Sequence, residues 1–490
     1  MSPDRRLLHP ITGILLVALL IPGIALLGSV QEKPTSIVEA QFTPEPPPVH
    51  LPVVARSYPW QSPFGVQIAR EMGTFLQNRA RDLGIKWVRL QRVSWRDIQP
   101  IEGGPYDWSV LSSFEDELRA SRVAGFTPIV VVHHSPRWAT TNEPFETDCG
   151  AIRADKFTAF ASFMQAVVNR YSQPEFGVRY WELGNEPDVD PSLVEPDKQF
   201  GCWGDIDDPY YGGRHYGNML KVVTPAIKAA NPDAQVLVGG LLLATPDTTD
   251  PNLGKPELFL RGILQAGAAP YFDILPYHAY TLYVGEQVDY DNSVWSASWY
   301  PWGGWTVGKA RYLRQTMADY GVDKPLVINE IALGCRDDFT ECDPPSPEFY
   351  EAQADYVVRT FTRDLAEGIQ VLQWYTLEGP GWREGGLLNA DGSPRPSYVA
   401  YQQLVTRLQD SEFGQKVSYS ANIEAYSFQS GSEVVHVVWS IDASPDTVLV
   451  PQSRFVAAYD REGNTVPPTP VGTDYQFAAG FSPIYLVLHE

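Results

Sequence analysis

From Pro63 onward, short apolar runs alternate with longer segments of helical periodicity, and few architectures accept that rhythm. Phe64–Ile68, Lys86–Leu90, Thr127–His133, Val178–Gly184, Gln235–Gly240, Phe272–His278, Pro325–Ile331 and Val371–Thr376 have the length and composition of strands. Between them, Ala69–Leu83, Leu111–Ala124, Lys156–Tyr171, Asn218–Ala230, Lys309–Tyr320 and Glu348–Glu367 repeat apolar residues at helical spacing. Apolar strands that alternate with helices predict a parallel α/β sheet covered by helices, and eight such units close a (β/α)8 TIM barrel. An open doubly wound sheet is the alternative. No Gly-x-Gly-x-x-Gly follows the first strand to support a dinucleotide site there.

After a last helix near Pro396–Leu408 the pattern changes. Val417–Phe428, Glu433–Ser440, Thr447–Val450 and Ile484–Leu488 are β-rich and separated by Gly, Asn, Asp and Pro, which predicts a small C-terminal antiparallel β-sandwich. At the other end, Arg5 and Arg6 precede the uncharged run Ile11–Val30, a signal or membrane anchor that leaves the rest of the chain outside. Residues 31–58, with Pro44, Pro46, Pro47 and Pro48, read as an extended linker. The expected organisation is therefore an anchor or signal at 1–30, a linker at 31–58, a barrel at 59–410 and a sandwich at 411–490. In an exported chain the four cysteines favour disulfides, Cys335–Cys342 across a short loop and Cys149–Cys202 between two loops, with four free thiols as the alternative.

Lys+Arg 37 against Asp+Glu 59 leaves a formal net charge of −22, which argues against a nucleic-acid partner, since that would need a basic face. Contact with a membrane is expected only through the N-terminal segment. The 8 His residues form no His-Glu-x-x-His or His-x-His set, so no metal site stands out. No Gly-x-Ser-x-Gly elbow marks a serine hydrolase.

Chemistry concentrates at Trp181-Glu182-Leu183-Gly184-Asn185-Glu186-Pro187-Asp188. An apolar strand delivers an Asn-Glu pair where Pro187, lacking an N–H, ends strand pairing. Pro325-Leu326-Val327-Ile328-Asn329-Glu330 repeats the arrangement. Barrels carry their chemistry at carboxyl-terminal strand ends, and two carboxylates there suit acid and nucleophile work on one substrate. Asn-Glu-Pro alone is weak evidence: Asn142-Glu143-Pro144 arises in a polar stretch past a strand end and reads as a solvated loop.

Asn185-Glu186-Pro187 on the fourth strand, with a Glu ending the seventh, resembles glycoside hydrolase clan A, families 39 and 5 being the nearest likenesses. The likeness runs from about Pro63 to Pro396. It includes Trp95–Pro100 with Gly104–Trp108, His133–Trp138 and Gly386–Pro396; Ser482–Leu486 resembles the accessory sandwich of several clan families. The resemblance implies a retaining glycosidase that cleaves β-glycosidic bonds of an extracellular poly- or oligosaccharide without a cofactor. It implies Glu186 as acid/base and Glu330 as nucleophile. Arg89 is expected to support the nucleophile's charge and Asn185 to read a sugar hydroxyl. His133 is expected to face inward from its strand end, with a structural His as the alternative. His278 and Tyr280 are candidates to contact the nucleophile, and Trp374 to floor the sugar; core packing is the alternative for all three. The aromatic segment Tyr280–Trp305, with Tyr283, Tyr290, Trp295, Trp299, Tyr300 and Trp302, either walls a glycan cleft or packs on the barrel or the sandwich. A surface carbohydrate-binding or scaffolding protein that has lost turnover is the rival reading, against which both Glu residues stand.

Overall fold

The computed structural model describes residues 62–140, 150–195, 200–291, 298–336, 339–442 and 444–490. The expected signal or anchor, the linker, Cys149, Glu143 and Trp295 lie outside the described residues. Among the described residues, no helix is long and apolar enough to cross a membrane.

Eight parallel strands build a nearly closed barrel: β1 Phe64–Ile68, β2 Trp87–Ser94, β3 Thr127–His133, β4 Tyr180–Asn185, β5 Gln235–Gly240, β6 Leu275–Leu282, β7 Leu326–Gly334 and β8 Leu372–Trp374. Their order is β5-β4-β3-β2-β1-β8-β7-β6. The circle is weakest between β5 and β6, where the bridges Leu237–Ile274 and Leu241–Tyr277 stand in place of a ladder. Around the strands lie α1 Thr74–Leu83, the one-turn α2 Trp95–Ile98, α3 Ser112–Ala124, α4 Phe157–Tyr171, α5 Gly213–Ala230, α6 Glu257–Gln265, α7 Trp305–Ala318, α8 Pro347–Ala366 and α9 Pro396–Leu408. Helix α6 is too short for its periodicity to stand out in the sequence. Helix α8 starts where Ser346 accepts from Phe349 N–H and Pro347 fills a first-turn position that needs no donor.

Inward-facing Trp87, Ile129, Leu237, Ile274, Val327 and Val371 plug the amino-terminal half of the barrel, with Tyr180 packed on them. Above that plug the interior turns polar. Here the sequence-based strand limits fall short: β2, β6 and β7 run on to Ser94, Leu282 and Gly334. Apolar content marks a strand only while both of its faces are dry, and the later residues of these strands face the mouth. Arg89 and Glu330 therefore lie within strands, not at their ends.

The C-terminal residues form two antiparallel sheets. One holds β9 Glu412–Val417, β10 Ile423–Ser430, β11 Glu433–Ser440, β13 Phe455–Asp460 and β16 Ile484–His489; the other holds β12 Asp446–Pro451, β14 Thr469–Val471 and β15 Asp474–Ala479. Val438, Leu486 and Ala425 of the first share a core with Val448, Val450 and Phe477 of the second. The Arg363 guanidinium on α8 joins this unit to the barrel, donating to Asp289 Oδ1 at 2.8 Å and to Glu424 Oε2 on β10 at 2.6 Å. The expected Cys335–Cys342 disulfide closes the loop after β7 with a Cα–Cα distance of 5.5 Å. Cys202 is disulfide-bonded as well, but the expected Cys149–Cys202 pairing lies outside the described residues.

Candidate active site

The polar interior is organised around one guanidinium. Arg89 is fully buried on β2, and all five of its N–H groups have acceptors. Nε donates to Glu182 Oε2 at 2.9 Å, and Nη2 to Glu182 Oε1 at 2.7 Å and to Asn185 Oδ1 at 2.6 Å. Nη1 donates to Gln67 and to Glu330. Burial works against the charge of Arg89, but Glu182 and Glu330 outweigh it and hold its pKa above the usual range. Glu182, also fully buried, further accepts from Asn329 Nδ2 at 2.9 Å and Gly240 N–H at 3.0 Å. A buried ion pair this well satisfied avoids the large cost of an unpaired buried charge.

Each Asn-Glu pair hangs from this ion pair by its Asn. Asn185 is held by Arg89, and Asn329 holds Glu182. For two successive residues to face the mouth, a strand must break its alternation. On β7 a bulge does this: Tyr277 pairs with Ile328 and His278 with Glu330, leaving Asn329 as the extra residue. At the end of β4 the break is a left-handed backbone, with φ of 97° at Gly184 within the strand and 47° at Glu186 just past it. A non-glycine residue there costs about 1–3 kcal/mol of strain.

These irregularities bring the two carboxyl groups together. One oxygen of Glu186, one of Glu330 and a ring nitrogen of His278 lie within 4.8 Å of one another. His278 Nδ1 is 2.8 Å from Glu186 Oε1 and 3.4 Å from Glu330 Oε2. The environments of the two carboxyl groups differ. Glu330 accepts from Arg89 and from the Tyr280 hydroxyl. Glu186 has no such donors; burial raises its pKa to about 7, although Arg89 and Lys309 pull it down. Burial also pushes His278 down to about 4, so its ring is neutral at working pH. One proton then lies between His278 and Glu186: Nδ1–H donates to the carboxylate, or the carboxyl O–H donates to Nδ1. Among the described residues this trio is the one group spaced to share a metal ion. The bonds from Arg89 and Tyr280 already satisfy Glu330, which fits an acid–base set.

The remaining expected residues divide. His133 is half-buried at the end of β3 and shares a cavity of about 130 Å³ with Gln91, His134, Asn185 and Trp203. Both imidazoles line it, where strand alternation allows only one, because His134 has a φ of 50°. Trp374 is a correction. It is fully buried, packs edge-on against Tyr356 and at a tilt against Phe361, both on α8, and donates Nε1–H to Gly385 C=O at 2.7 Å. It faces the helices and not the mouth. Tyr375 and Trp382 stand at the mouth instead, their rings 5.5 and 5.1 Å from that of Tyr280. Among the described residues of the aromatic segment after β6, Tyr283, Tyr290 and Trp299 are buried, and Tyr300 is exposed.

Sequence reasoning passed over Glu182, Gln67, Tyr375 and Lys309, and named Asn329 in its pair without giving it a role. Glu182 had a usable signal, because a charged residue inside an apolar strand needs a buried partner. Nothing marked Lys309.

No curated protein matches the chain in sequence. Among solved structures, a family 39 glycoside hydrolase from the gut symbiont Bacteroides cellulosilyticus WH2 is 20% identical, with a TM-score of 0.64 over 87% of this chain and 81% of that one. A glycoside hydrolase family 30 subfamily 8 xylanase, Xyn30A, from Clostridium acetobutylicum is 14% identical, with a TM-score of 0.56 over 87% and 96%. A glucosidase from Croceicoccus marinus is 13% identical, with a TM-score of 0.56 over 88% and 96%. At these identities the likeness is one of fold. The sequence model of the cellulases, glycosyl hydrolase family 5, matches residues 57–337, more than half of the chain and a span that holds both Asn-Glu pairs. On that match the chain belongs to glycosyl hydrolase family 5, within clan A.

Proposed function

We propose that the protein is a retaining β-glycosidase acting on a poly- or oligosaccharide outside the cell. The observation that carries the reading is the pair of carboxyl oxygens within 4.8 Å, one group beside two donors and the other desolvated. Retaining hydrolysis uses carboxyl groups about 5–5.5 Å apart, and inversion needs about 6.5–9.5 Å to admit a water. Glu186, with its pKa raised to about 7, suits the acid that protonates the leaving oxygen. Glu330, charge-supported by Arg89 and Tyr280, attacks the anomeric carbon, and Glu186 then acts as base toward the water that releases the sugar. Arg89 occupies the Asn185 carbonyl oxygen, so the Asn185 amide N–H groups are the donors available to a sugar hydroxyl. Tyr375 and Trp382 offer apolar faces to the sugar ring. The uncharged run Ile11–Val30 and the Cys335–Cys342 disulfide support export to an oxidising compartment.

The test is a panel of polysaccharides and aryl β-glycosides. Glu330→Ala is expected to abolish turnover. Glu186→Ala is expected to hydrolyse only activated glycosides, with rescue by azide. Full activity in either variant overturns the roles, and binding without release of reducing ends favours a carbohydrate-binding protein.

A further inference from the structure

The β5–β6 seam lies directly behind His278, the residue that touches both carboxyl groups. At the mouth end of that seam stands a buried amine to which the mechanism above gives no part. Lys309, on the first turns of α7, is 1% exposed. Its Nζ donates to Leu242 C=O on the β5 side and to His278 C=O on β6, each at 2.9 Å. The Trp305 ring centroid lies 4.6 Å from Nζ and that of Trp299 5.9 Å, a cation–π cage drawn from the aromatic segment. The same stretch is gripped from the other side. Asp188 accepts from Leu242 N–H at 2.9 Å and Leu243 N–H at 2.7 Å, and Leu241 C=O accepts from His278 N–H at 2.8 Å.

We propose that Lys309 is a positioning residue: it closes the one barrel seam that lacks a strand ladder and thereby holds His278 between Glu186 and Glu330. Where strands pair, ladders fix the side chains they carry. Across this seam the backbone bonds are few, among them Val238 N–H to Ile274 C=O at 3.3 Å, Leu241 N–H to Pro276 C=O at 3.2 Å and His278 N–H to Leu241 C=O at 2.8 Å. The Lys309 amine adds a bond to each side from outside the barrel, one of them to the backbone of the residue between the two carboxyl groups. The inference rests on the acid/nucleophile reading of Glu186 and Glu330.

Removing the amine frees the His278 carbonyl and deletes a cation near Glu186 that is only partly charged at neutral pH, because burial pushes the Lys309 amine down to about 7. The other ionisable groups around this point are Asp188, Glu182, Arg89, Glu330 and Tyr280, and all of them remain. For Lys309→Met, kcat on the best aryl β-glycoside is expected to fall about 10–100-fold, the scale of a small misplacement at a reacting centre. KM is expected to stay within about threefold, because the sugar contacts are unchanged. The alkaline limb of kcat/KM is expected to move up in Lys309→Met and down in Lys309→Arg, whose guanidinium stays charged where the buried amine loses its proton. Amide exchange at His278 and Leu241 is expected to accelerate while β1–β4 stay protected. A methionine variant with wild-type kcat and an unmoved limb overturns the inference, whatever its exchange pattern. If that variant does not fold, Lys309→Gln is expected to show the same changes in smaller measure, and wild-type behaviour there overturns the inference equally. Glu330→Ala run in parallel separates the two readings: if it retains turnover, the carboxylate roles fall. The seam is then judged by exchange at His278 and Leu241 alone, and unchanged exchange in Lys309→Met overturns it.

Discussion

Glu186 and Glu330 carry the same functional group, and their neighbours make them different reagents. On the proposed roles, activity requires protonated Glu186, so kcat/KM is expected to fall as pH rises through about 7, which a pH–rate profile measures. The same shift has a cost in stability. A carboxyl whose folded pKa lies above its unfolded value contributes stability that is fully present below the unfolded value, near 4.5, and is lost as pH rises through about 7. Glu186→Gln removes that loss, so it is expected to stabilise the fold by about 3 kcal/mol at pH 8 and to change it little at pH 4, read by urea unfolding at both. At this scale the sequence was legible where function follows residue type and position in a motif: both glutamates, Arg89, Asn185, His278 and Tyr280 converge. It misled at Trp374, where a one-residue difference decides which face of the strand a side chain takes.

At the scale of the element, the site depends on breaks in strand geometry. The bulge at Asn329 and the left-handed backbone at Glu186 turn paired residues toward one point, and close approach of β5 leaves no slack behind His278. A Cβ on Gly240 would lie 2.3 Å from His278 Nε2 and 2.8 Å from Asn329 Oδ1. Neither side chain has room to retreat, since both are fully buried. Gly240→Ala is expected to displace the His278 ring and lower kcat by about 100-fold with a smaller change in KM, measured by steady-state kinetics. Apolar patterning located the strands but could not register these breaks. A bulge is set by how two neighbouring ladders fit together, and that fit involves residues far apart in the chain.

At the scale of the molecule, the barrel and the C-terminal sheets are joined by buried charge. Arg363 bonds Asp289 and Glu424, Arg359 lies over the Phe481 ring at 3.8 Å, and Arg461 reaches back to Asp355 and Glu351 on α8. Arg363→Met removes the cation shared by Asp289 and Glu424 in a largely buried interface, leaving Arg359 at 3.8 Å from the first and Lys416 at 3.9 Å from the second. It is expected to destabilise the protein by about 3–5 kcal/mol, read as a lower urea midpoint. The sequence by itself determined the (β/α)8 alternation, the β-rich C-terminal segment and the two Asn-Glu pairs, because periodicity and strand-ending prolines act over a few residues. Only the tertiary structure decided that Arg89 and Glu182 form the interior hub, that Tyr375 rather than Trp374 faces the mouth, and that Lys309 spans the β5–β6 seam. Those outcomes depend on which distant side chains satisfy one another's charge and hydrogen bonds once water is excluded, and no local pattern carries that information.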